Sequence, residues 1–238
     1  MDQKVKVIFI VPCFNAEKNL DNLFKSLISQ DEEDWVCILI DDMSEDHTAK
    51  KIIELSRNDK RFHCHINRSK KFALRNIVET SRLFQGMSDV IIAVIDGDDQ
   101  LCNNKTISLL KTEYENGKDV VWTAHRWDIN ELNISKEMPM NVDPYSWPWC
   151  SSHLRTFSST LLSRISDINF KDTLGNWFKR GYDQALMLPI LSLTKNRAYI
   201  DEVCYRYNIN SVSIKDRSWE EKGQISTINT VRARGFLE

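Results

Sequence analysis

Two hydrophobic patterns alternate along the first half of the chain. Continuous apolar runs, typical of strands buried on both faces, are separated by segments whose apolar residues are spaced three and four apart, as on one face of a helix. The predicted strands are residues 5–11, 35–40, 62–66, 90–95 and 119–123, and the predicted helices have apolar stripes within 20–28, 52–55, 71–84 and 107–114. This alternation predicts an α/β fold with a doubly wound, mostly parallel sheet flanked by helices.

The pattern changes after the fifth predicted strand. From residue 127 to 155 it is irregular, and proline, tryptophan and serine cluster in 144–149, which predicts an aromatic loop. A helix over 183–193, a strand over 198–205 and a charged C-terminal segment follow. No Gly/Ser-rich linker or internal repeat divides the chain, so we expect a single domain over 1–238.

Composition excludes several classes of protein. The 238 residues carry 32 Lys and Arg against 34 Asp and Glu, a balance that argues against a nucleic-acid partner. Six cysteines without a Cys-x-x-Cys pair are typical of free thiols in a reducing compartment. No apolar run approaches the ~20 residues of a membrane span, and Pro12 ends the first run too early for a signal peptide. We therefore expect a cytoplasmic protein without an integral membrane segment.

Carboxylates directly follow two of the predicted strands. They are Asp41 and Asp42 after the second strand, and Asp96, Asp98 and Asp99 after the fourth. The carboxyl ends of parallel strands meet at one edge of the sheet, where ligands bind. Closely spaced carboxylates repel one another unless a cation lies among them, and Mg²⁺ or Mn²⁺ takes such oxygen ligands together with substrate phosphates. Either cluster alone is typical of a helix-capping turn, but two clusters at one edge favour a metal and phosphate site.

Four segments resemble successive motifs of the family 2 glycosyltransferases, which have the GT-A fold. They are Val-Pro-Cys-Phe-Asn-Ala-Glu at 11–17, Ile-Asp-Asp-Met-Ser at 40–44, Ala-Leu-Arg-Asn at 73–76 and Ile-Asp-Gly-Asp-Asp at 95–99. Gly-Tyr-Asp-Gln at 181–184 is similar to the later acidic motif of the family, with Tyr182 in place of the usual glutamate. The resemblance implies an inverting hexosyltransferase with Mn²⁺ or Mg²⁺ as cofactor, acting in polysaccharide biosynthesis.

The resemblance also implies the partners and the site residues. The donor would be a nucleotide-diphosphate sugar, with a UDP-sugar as the first candidate. The acceptor would be a glycan or a lipid-linked or protein-linked hydroxyl, and a lipid-linked acceptor would place the protein at the membrane surface. Nucleotide contacts would be made by Pro12, Asn15, Asp41, Asp42, Arg75 and Asp96. Asp98 would bind the metal, Asp99 would orient Asp98, and Asp183 would be the general base. Residues 1–100 would then form the nucleotide-binding half and 101–238 the acceptor and catalytic half.

Other candidates come from residue chemistry, and each has a structural alternative. Trp149 suits stacking on a sugar ring or filling the core. His153 and Arg155, which follow the aromatic loop, are candidates for contacts with the acceptor or the diphosphate. Lys71 with Arg75 is either a diphosphate-binding pair or a solvated basic face. Asn208, Asn210 and Ser211 either cover the donor or form a plain loop.

Two functional alternatives remain beside the transferase. The chain lacks a Gly-x-Gly-x-x-Gly segment after the first strand and a Gly-x-x-x-x-Gly-Lys-Ser/Thr segment, which disfavours dinucleotide oxidoreductases and P-loop NTPases. A nucleotidyltransferase would share the sheet and the metal carboxylates but normally has a Gly- and Arg-rich phosphate loop, unlike residues 11–16. A non-catalytic nucleotide-sugar-binding module is the alternative outside the enzymes.

Overall fold

A computed structural model describes residues 5–209 and 214–238. The strands are β1 (Lys6–Cys13), β2 (Trp35–Asp41), β3 (Phe62–Ile66), β4 (Val90–Val94), β5 (Gln100–Leu101), β6 (Val120–Trp127), β7 (Arg155–Ser158) and β8 (Arg197–Tyr207). The helices are α1 (Leu20–Ile28), α2 (Thr48–Asn58), α3 (Phe72–Ser81), α4 (Thr106–Glu115), α5 (Tyr182–Ser192) and α6 (Ile214–Arg234). Short 3₁₀ helices cover Arg82–Phe84, Ser159–Arg164 and Asp167–Phe170.

The eight strands form one mixed sheet in the order β3-β2-β1-β4-β7-β6-β8-β5. The first four pair in parallel, as the alternating pattern predicts. β7 runs antiparallel between β4 and β6, β8 is parallel to β6, and the short β5 is antiparallel to β8. The antiparallel β7 lies at the end of the segment predicted to be irregular, so its pairing depends on its two neighbours rather than on a strong local pattern.

Alternating side chains of the strands build a core on each face of the sheet. On one face, Val7 and Phe9 of β1 pack with apolar residues of α1, α2 and α4. On the other face, Ile8 and Ile10 pack with α3 and α5. Residues 184–191 of α5 are all buried, as expected for a helix enclosed on every side.

Several predicted boundaries shift in the structure. The helix predicted over 71–84 ends at Ser81 and continues as a 3₁₀ turn. The strand predicted over 119–123 extends to Trp127, because its backbone continues to pair with β8 after the polar residue His125 interrupts the apolar run. All six cysteines are free, as their spacing predicts. In the two described ranges, no helix is both long and apolar enough to cross a membrane.

Candidate active site

The loops that follow β1 and β2 are held together by hydrogen bonds. The backbone N–H of Asn15 donates to Ser44 Oγ at 3.0 Å, and Asn15 Oδ1 accepts from the N–H of Glu45 at 2.8 Å. Asn15 adopts a positive φ of 51° to make this turn. The loop that carries the predicted nucleotide-binding residue Asn15 is therefore joined to the loop that follows Asp41 and Asp42.

The turn after β4 packs tightly against the end of β1. The N–H of Gly97 donates to the Pro12 carbonyl at 3.2 Å. A Cβ at position 97 would lie 2.8 Å from Cys13 Sγ and 3.0 Å from the Pro12 oxygen, so only glycine fits. Pro12 thereby fixes the position of the Asp-x-Asp turn through its backbone.

Asp42 is buried and its carboxylate is fully engaged by the protein. Oδ1 accepts hydrogen bonds from Asn67 Nδ2 and the N–H of Lys71, and Oδ2 accepts from the N–H of Phe72, all at 2.8 Å. Burial raises the pKa of Asp42, but these hydrogen bonds outweigh it and hold the pKa below its ordinary value. The carboxylate also stabilises the first turn of α3, where the helix dipole favours a negative charge.

Asp41, beside it, has an oxygen without a protein partner. Oδ2 accepts from the N–H of Ser44 at 3.3 Å, whereas the buried Oδ1 has no hydrogen-bond partner in the part of the chain that the structure describes. An unsatisfied buried carboxylate oxygen is costly unless a ligand donates to it. Of the two adjacent carboxylates, Asp41 is the one with an available acceptor.

Arg75 lies on α3 and pairs with Glu79. Its Nε donates to Glu79 Oε1 at 2.7 Å, and Lys71 Nζ donates to the other oxygen at 2.8 Å. Arg75 is half-exposed, and its guanidinium carbon lies 5.9 Å from the centre of the Trp177 ring. The shared glutamate balances both cations, so a diphosphate would have to compete with it.

Both carboxylate oxygens of Asp96 contact residues from the second half of the chain. Arg155 Nη2 donates to Oδ2 at 3.1 Å, and the Tyr182 hydroxyl donates to Oδ1. The N–H of Asp96 donates to the Tyr205 hydroxyl at 3.1 Å. Arg155, a candidate for contacts with acceptor or diphosphate, is itself only 1% exposed, so its visible partners are these protein groups.

Asp98 and Asp99 complete the acidic turn. Asp99 is buried, and its oxygens accept from the Tyr205 hydroxyl at 2.6 Å and the N–H of Asn208 at 2.7 Å. Burial, followed by repulsion from Asp98 and Asp96, raises the pKa of Asp99 well above its ordinary value. Asp98 is half-buried, and its carbonyl accepts from Asn19 Nδ2 at 2.7 Å. The turn concentrates negative charge that a cation would relieve.

His153 lies beside this turn, against two tyrosine rings. Its imidazole stacks on Tyr205 and Tyr207 at centroid distances of 4.6 and 5.0 Å. Burial, and then the charge of Arg155, lowers its pKa well below the ordinary value, which favours the neutral form that binds metals. Ligand atoms of Asp96, Asp99 and His153 all lie within 4.8 Å of one another. The donor set of carboxylates and one imidazole fits a divalent cation.

Trp149 packs partly buried against the core on the α5 face of the sheet. Its Nε1 is buried and has no hydrogen-bond partner among the described residues. These contacts favour the core-filling interpretation of this side chain over stacking on a sugar.

Asp183 lies in the first turn of α5, which begins after Gly181 at a positive φ of 61°. Burial raises the pKa of Asp183, although the charge of Arg155 and the N–H of Gln184 oppose that rise. The pKa of Tyr207 is raised mainly by burial and then by Asp99, Asp96, Asp98 and Asp183. The hydrogen bond from Tyr182, the residue before Asp183, to Asp96 joins the start of α5 to the acidic turn.

The sequence did not identify several residues that shape this site. Tyr182 and Tyr205 bond to the acidic turn, and Asn67 bonds to Asp42. A signal existed for Tyr205 and Tyr207, because residues two apart on a strand share a face. Asn208 contacts Asp99, while Asn210 and Ser211 lie outside the described residues.

Known proteins similar to this chain include a bacterial transferase. The Campylobacter jejuni GalNAc(5)-diNAcBac-PP-undecaprenol beta-1,3-glucosyltransferase is 29% identical over 132 residues. That match covers 56% of this chain and 41% of the relative. The chain therefore spans less than half the length of this curated relative.

Solved structures share the fold at lower identity. The structure of S. aureus TarS 1-349 in complex with UDP superposes with a TM-score of 0.67 at 19% identity, covering 98% of this chain and 67% of that chain. The mannosyltransferase PcManGT from Pyrobaculum calidifontis, in complex with GDP-Man and Mn²⁺, gives 0.66 at 13% identity, covering 98% and 66%. These similarities confirm the predicted GT-A-type fold.

The family model described as Glycosyl transferase family 2 matches residues 8–182, which include all four motifs of the first hundred residues and reach Tyr182. The match confirms the family that the motifs predict. Therefore, the chain belongs to glycosyl transferase family 2.

Proposed function

We propose that this chain is a metal-dependent, inverting glycosyltransferase that uses a nucleotide-diphosphate sugar, with a UDP-sugar as the first candidate. One observation carries the proposal: the Tyr182 hydroxyl donates to Asp96 of the acidic turn after β4, so that Asp183, the next residue of α5, lies close to that turn. An acidic turn suits the diphosphate side of a donor, and a separate carboxylate suits the acceptor side. The UDP and GDP-Man complexes of the structural neighbours support a nucleotide-sugar donor.

The nucleotide would lie along the ends of β1 and β2. Asp41 offers its unpartnered Oδ1 to the base or ribose, and Asn15 and Pro12 form the adjoining loop. Asp42 and Arg75 border the same region but already bond to protein groups. Asp96 would contact the ribose, with both of its oxygens held in place by Arg155 and Tyr182.

Residues of the acidic turn would hold Mn²⁺ or Mg²⁺. Asp98 is the proposed ligand, and its neighbours in the turn, Asp96 and Asp99, have ligand atoms within 4.8 Å of each other and of His153. Their fit to a divalent cation rests on the close spacing of the ligand atoms and on the buried Nδ1 of His153, which has no hydrogen-bond partner among the described residues. When bound, the ion would neutralise the charge that develops on the leaving diphosphate.

Asp183 would act as the general base. Its raised pKa brings proton affinity closer to that of a base working near neutral pH. The acceptor hydroxyl loses its proton to Asp183 as its oxygen bonds to the anomeric carbon, and the bond from that carbon to the diphosphate oxygen breaks. A single displacement from the opposite face inverts the anomeric centre.

The acceptor would be a glycan or a lipid-linked or protein-linked hydroxyl. The name of the Campylobacter jejuni relative describes an acceptor linked to undecaprenol through diphosphate. It supports a lipid-linked acceptor, and with it a position at the cytoplasmic membrane surface.

A thermal-shift screen of nucleotide-sugars with and without Mn²⁺ tests the donor and the metal together. A ligand at 100 times its Kd adds about 2.7 kcal/mol to the free energy of unfolding. We expect one nucleotide-diphosphate sugar to raise Tm, with a larger rise when Mn²⁺ is present. Transfer to an acceptor, with the anomeric configuration of the product read by NMR, then tests turnover and inversion.

The alternatives give different outcomes in this experiment. Donor binding without turnover in the presence of acceptors would indicate a non-catalytic binding module. Formation of a nucleotide-sugar from a nucleoside triphosphate and a sugar phosphate would indicate a nucleotidyltransferase. Retention of the anomeric configuration would contradict a single displacement.

A further inference from the structure

Arg155 is a fully charged side chain in the interior of the protein. It is 1% exposed and lies on β7, where its register partners are Val94 of β4 and Trp122 of β6. A buried cation is costly unless it is paired and hydrogen-bonded. The groups that pair with Arg155 therefore indicate why a cation is kept at this position.

Its partners form a closed triangle of three elements. Arg155 Nη2 donates to Asp96 Oδ2 and to the Tyr182 hydroxyl, both at 3.1 Å. The Tyr182 hydroxyl donates in turn to Asp96 Oδ1. The guanidinium carbon lies 5.0 Å from the centre of the Tyr182 ring. The end of β4, the strand β7 and the first residue of α5 are thereby joined at one point.

We propose that Arg155 and Tyr182 are positioning residues that fix Asp183 relative to the acidic turn, an inference that rests on the proposed function. Tyr182 is covalently adjacent to Asp183, so a bond from its hydroxyl to Asp96 limits how far the base moves from that turn. Displacement of a reacting group by about 1 Å costs on the order of a hundredfold in rate. The triangle acts on turnover through Asp183 and needs no contact with the acceptor.

The fold of α5 has other supports, so loss of the triangle need not unfold it. Arg232 of α6 donates from Nε to Gln184 Oε1 at 2.7 Å. A Cβ at Gly181 would lie 3.0 Å from the Gln224 carbonyl, which shows how closely α6 packs on the start of α5. The Tyr182 hydroxyl thus adds a restraint to a helix that is already anchored.

Tyr182→Phe tests the proposal because it removes one hydroxyl and keeps the ring. We expect kcat to fall by about tenfold to a hundredfold. The KM for the donor and the affinity for free nucleotide diphosphate should change less than about threefold, because Asp41 and the β1 loop are untouched and Arg155 still holds Asp96 through Oδ2. Arg155→Lys keeps the charge but loses the planar fork, and should recover part of the kcat that Arg155→Met loses.

Tyr114→Phe is the matched control. The Tyr114 hydroxyl is hydrogen-bonded to Thr156 Oγ1, one residue beyond Arg155 on β7, at 2.9 Å. The Tyr114→Phe variant loses one tyrosine hydrogen bond near Arg155 without affecting Asp96 or α5. Its kcat should therefore equal that of the wild type. Wild-type kcat in Tyr182→Phe, or an equal loss in Tyr114→Phe, would overturn the proposal. Absence of transfer by the wild-type protein would instead refute the proposed function.

Discussion

Two carboxylates at the same edge of the sheet have opposite electrostatic environments. Asp42 accepts three N–H donors, and its pKa lies below the ordinary value. Asp99 is buried beside two further carboxylates, and its pKa lies well above the ordinary value. The protein itself stabilises the charge of Asp42, whereas full ionisation around Asp99 requires a compensating cation. Two aspartates at the same edge of the sheet can therefore differ in whether the protein alone stabilises their charge.

The charge of Asp42 is stabilised by the protein, whereas the charge of the acidic turn depends on a ligand. The bonds of Asp42 account for its burial without any ligand, because they stabilise the start of α3. The acidic turn after β4 gathers three aspartates, and a cation would lower their mutual repulsion. The predicted contact between Asp42 and the nucleotide stays a prediction that substitution can test.

The largest expected effect is at the acidic turn. Asp98→Ala should abolish transfer and remove the Mn²⁺-dependent rise in Tm on donor binding, because it deletes the proposed metal ligand. Asp42→Ala should keep a Mn²⁺-dependent rise. Thermal shifts of both variants with donor, with and without Mn²⁺, give the measurement. Full activity of Asp98→Ala, or of the wild type in excess chelator, would contradict the proposed metal site at the acidic turn.

Asp183→Asn is expected to lower turnover by at least about a hundredfold with near-native Tm and donor affinity. Asparagine occupies a helix start about as well as aspartate, but it takes no proton at neutral pH. Steady-state kinetics with the acceptor, together with a melting curve, distinguish a general base at Asp183 from a residue that only caps the helix. If most of the turnover survives, the base lies elsewhere. Gln184→Glu leaves Asp183 unchanged in the same turn and controls for local disturbance of α5.

Asp42→Ala should weaken binding of free nucleotide diphosphate by roughly tenfold to a hundredfold, if Asp42 accepts a hydrogen bond from the base or ribose. It should also lower the free energy of unfolding by about 1–3 kcal/mol, because the buried donors of Asn67, Lys71 and Phe72 lose their acceptor. Calorimetric titration measures the first effect and urea denaturation the second. Lost stability with unchanged affinity would assign Asp42 a purely structural role.

The smallest expected effect is a pH dependence of stability. The pKa of Asp42 is lowered from 3.8, so its stabilising contribution is present above pH 3.8 and is lost as pH falls through the folded-state pKa. The free energy of unfolding of the wild type should therefore exceed that of Asp42→Asn by about 1 kcal/mol at pH 7, because hydrogen bonds to a charged acceptor are stronger than those to a neutral amide oxygen. The gap should close below pH 3.8. Urea denaturation across this range measures it, with exposed Asp201→Asn as the control. A constant gap would contradict a role for the charge.

The sequence alone determined the first half of the fold and the location of its carboxylates. The strands β1, β2 and β4 contain continuous apolar runs, and the carboxylates lie at the ends of β2 and β4, so local pattern and parallel topology suffice to place Asp41, Asp42 and Asp96 at one edge. The motifs over the same residues indicated the family, which the match over 8–182 confirms.

Only the tertiary structure decided what those carboxylates bond to. The bonds to Asp96 from Arg155 and Tyr182 span 59 and 86 residues, and the bond from Tyr205 to Asp99 spans 106. β7 has no strong local signal, and its antiparallel place between β4 and β6 is what buries Arg155 beside the acidic turn. The hydrophobic pattern of a segment indicates which face of its helix or strand is apolar. The partner of a buried charge depends on which distant strands and helices meet there, because its desolvation is compensated only in the assembled fold.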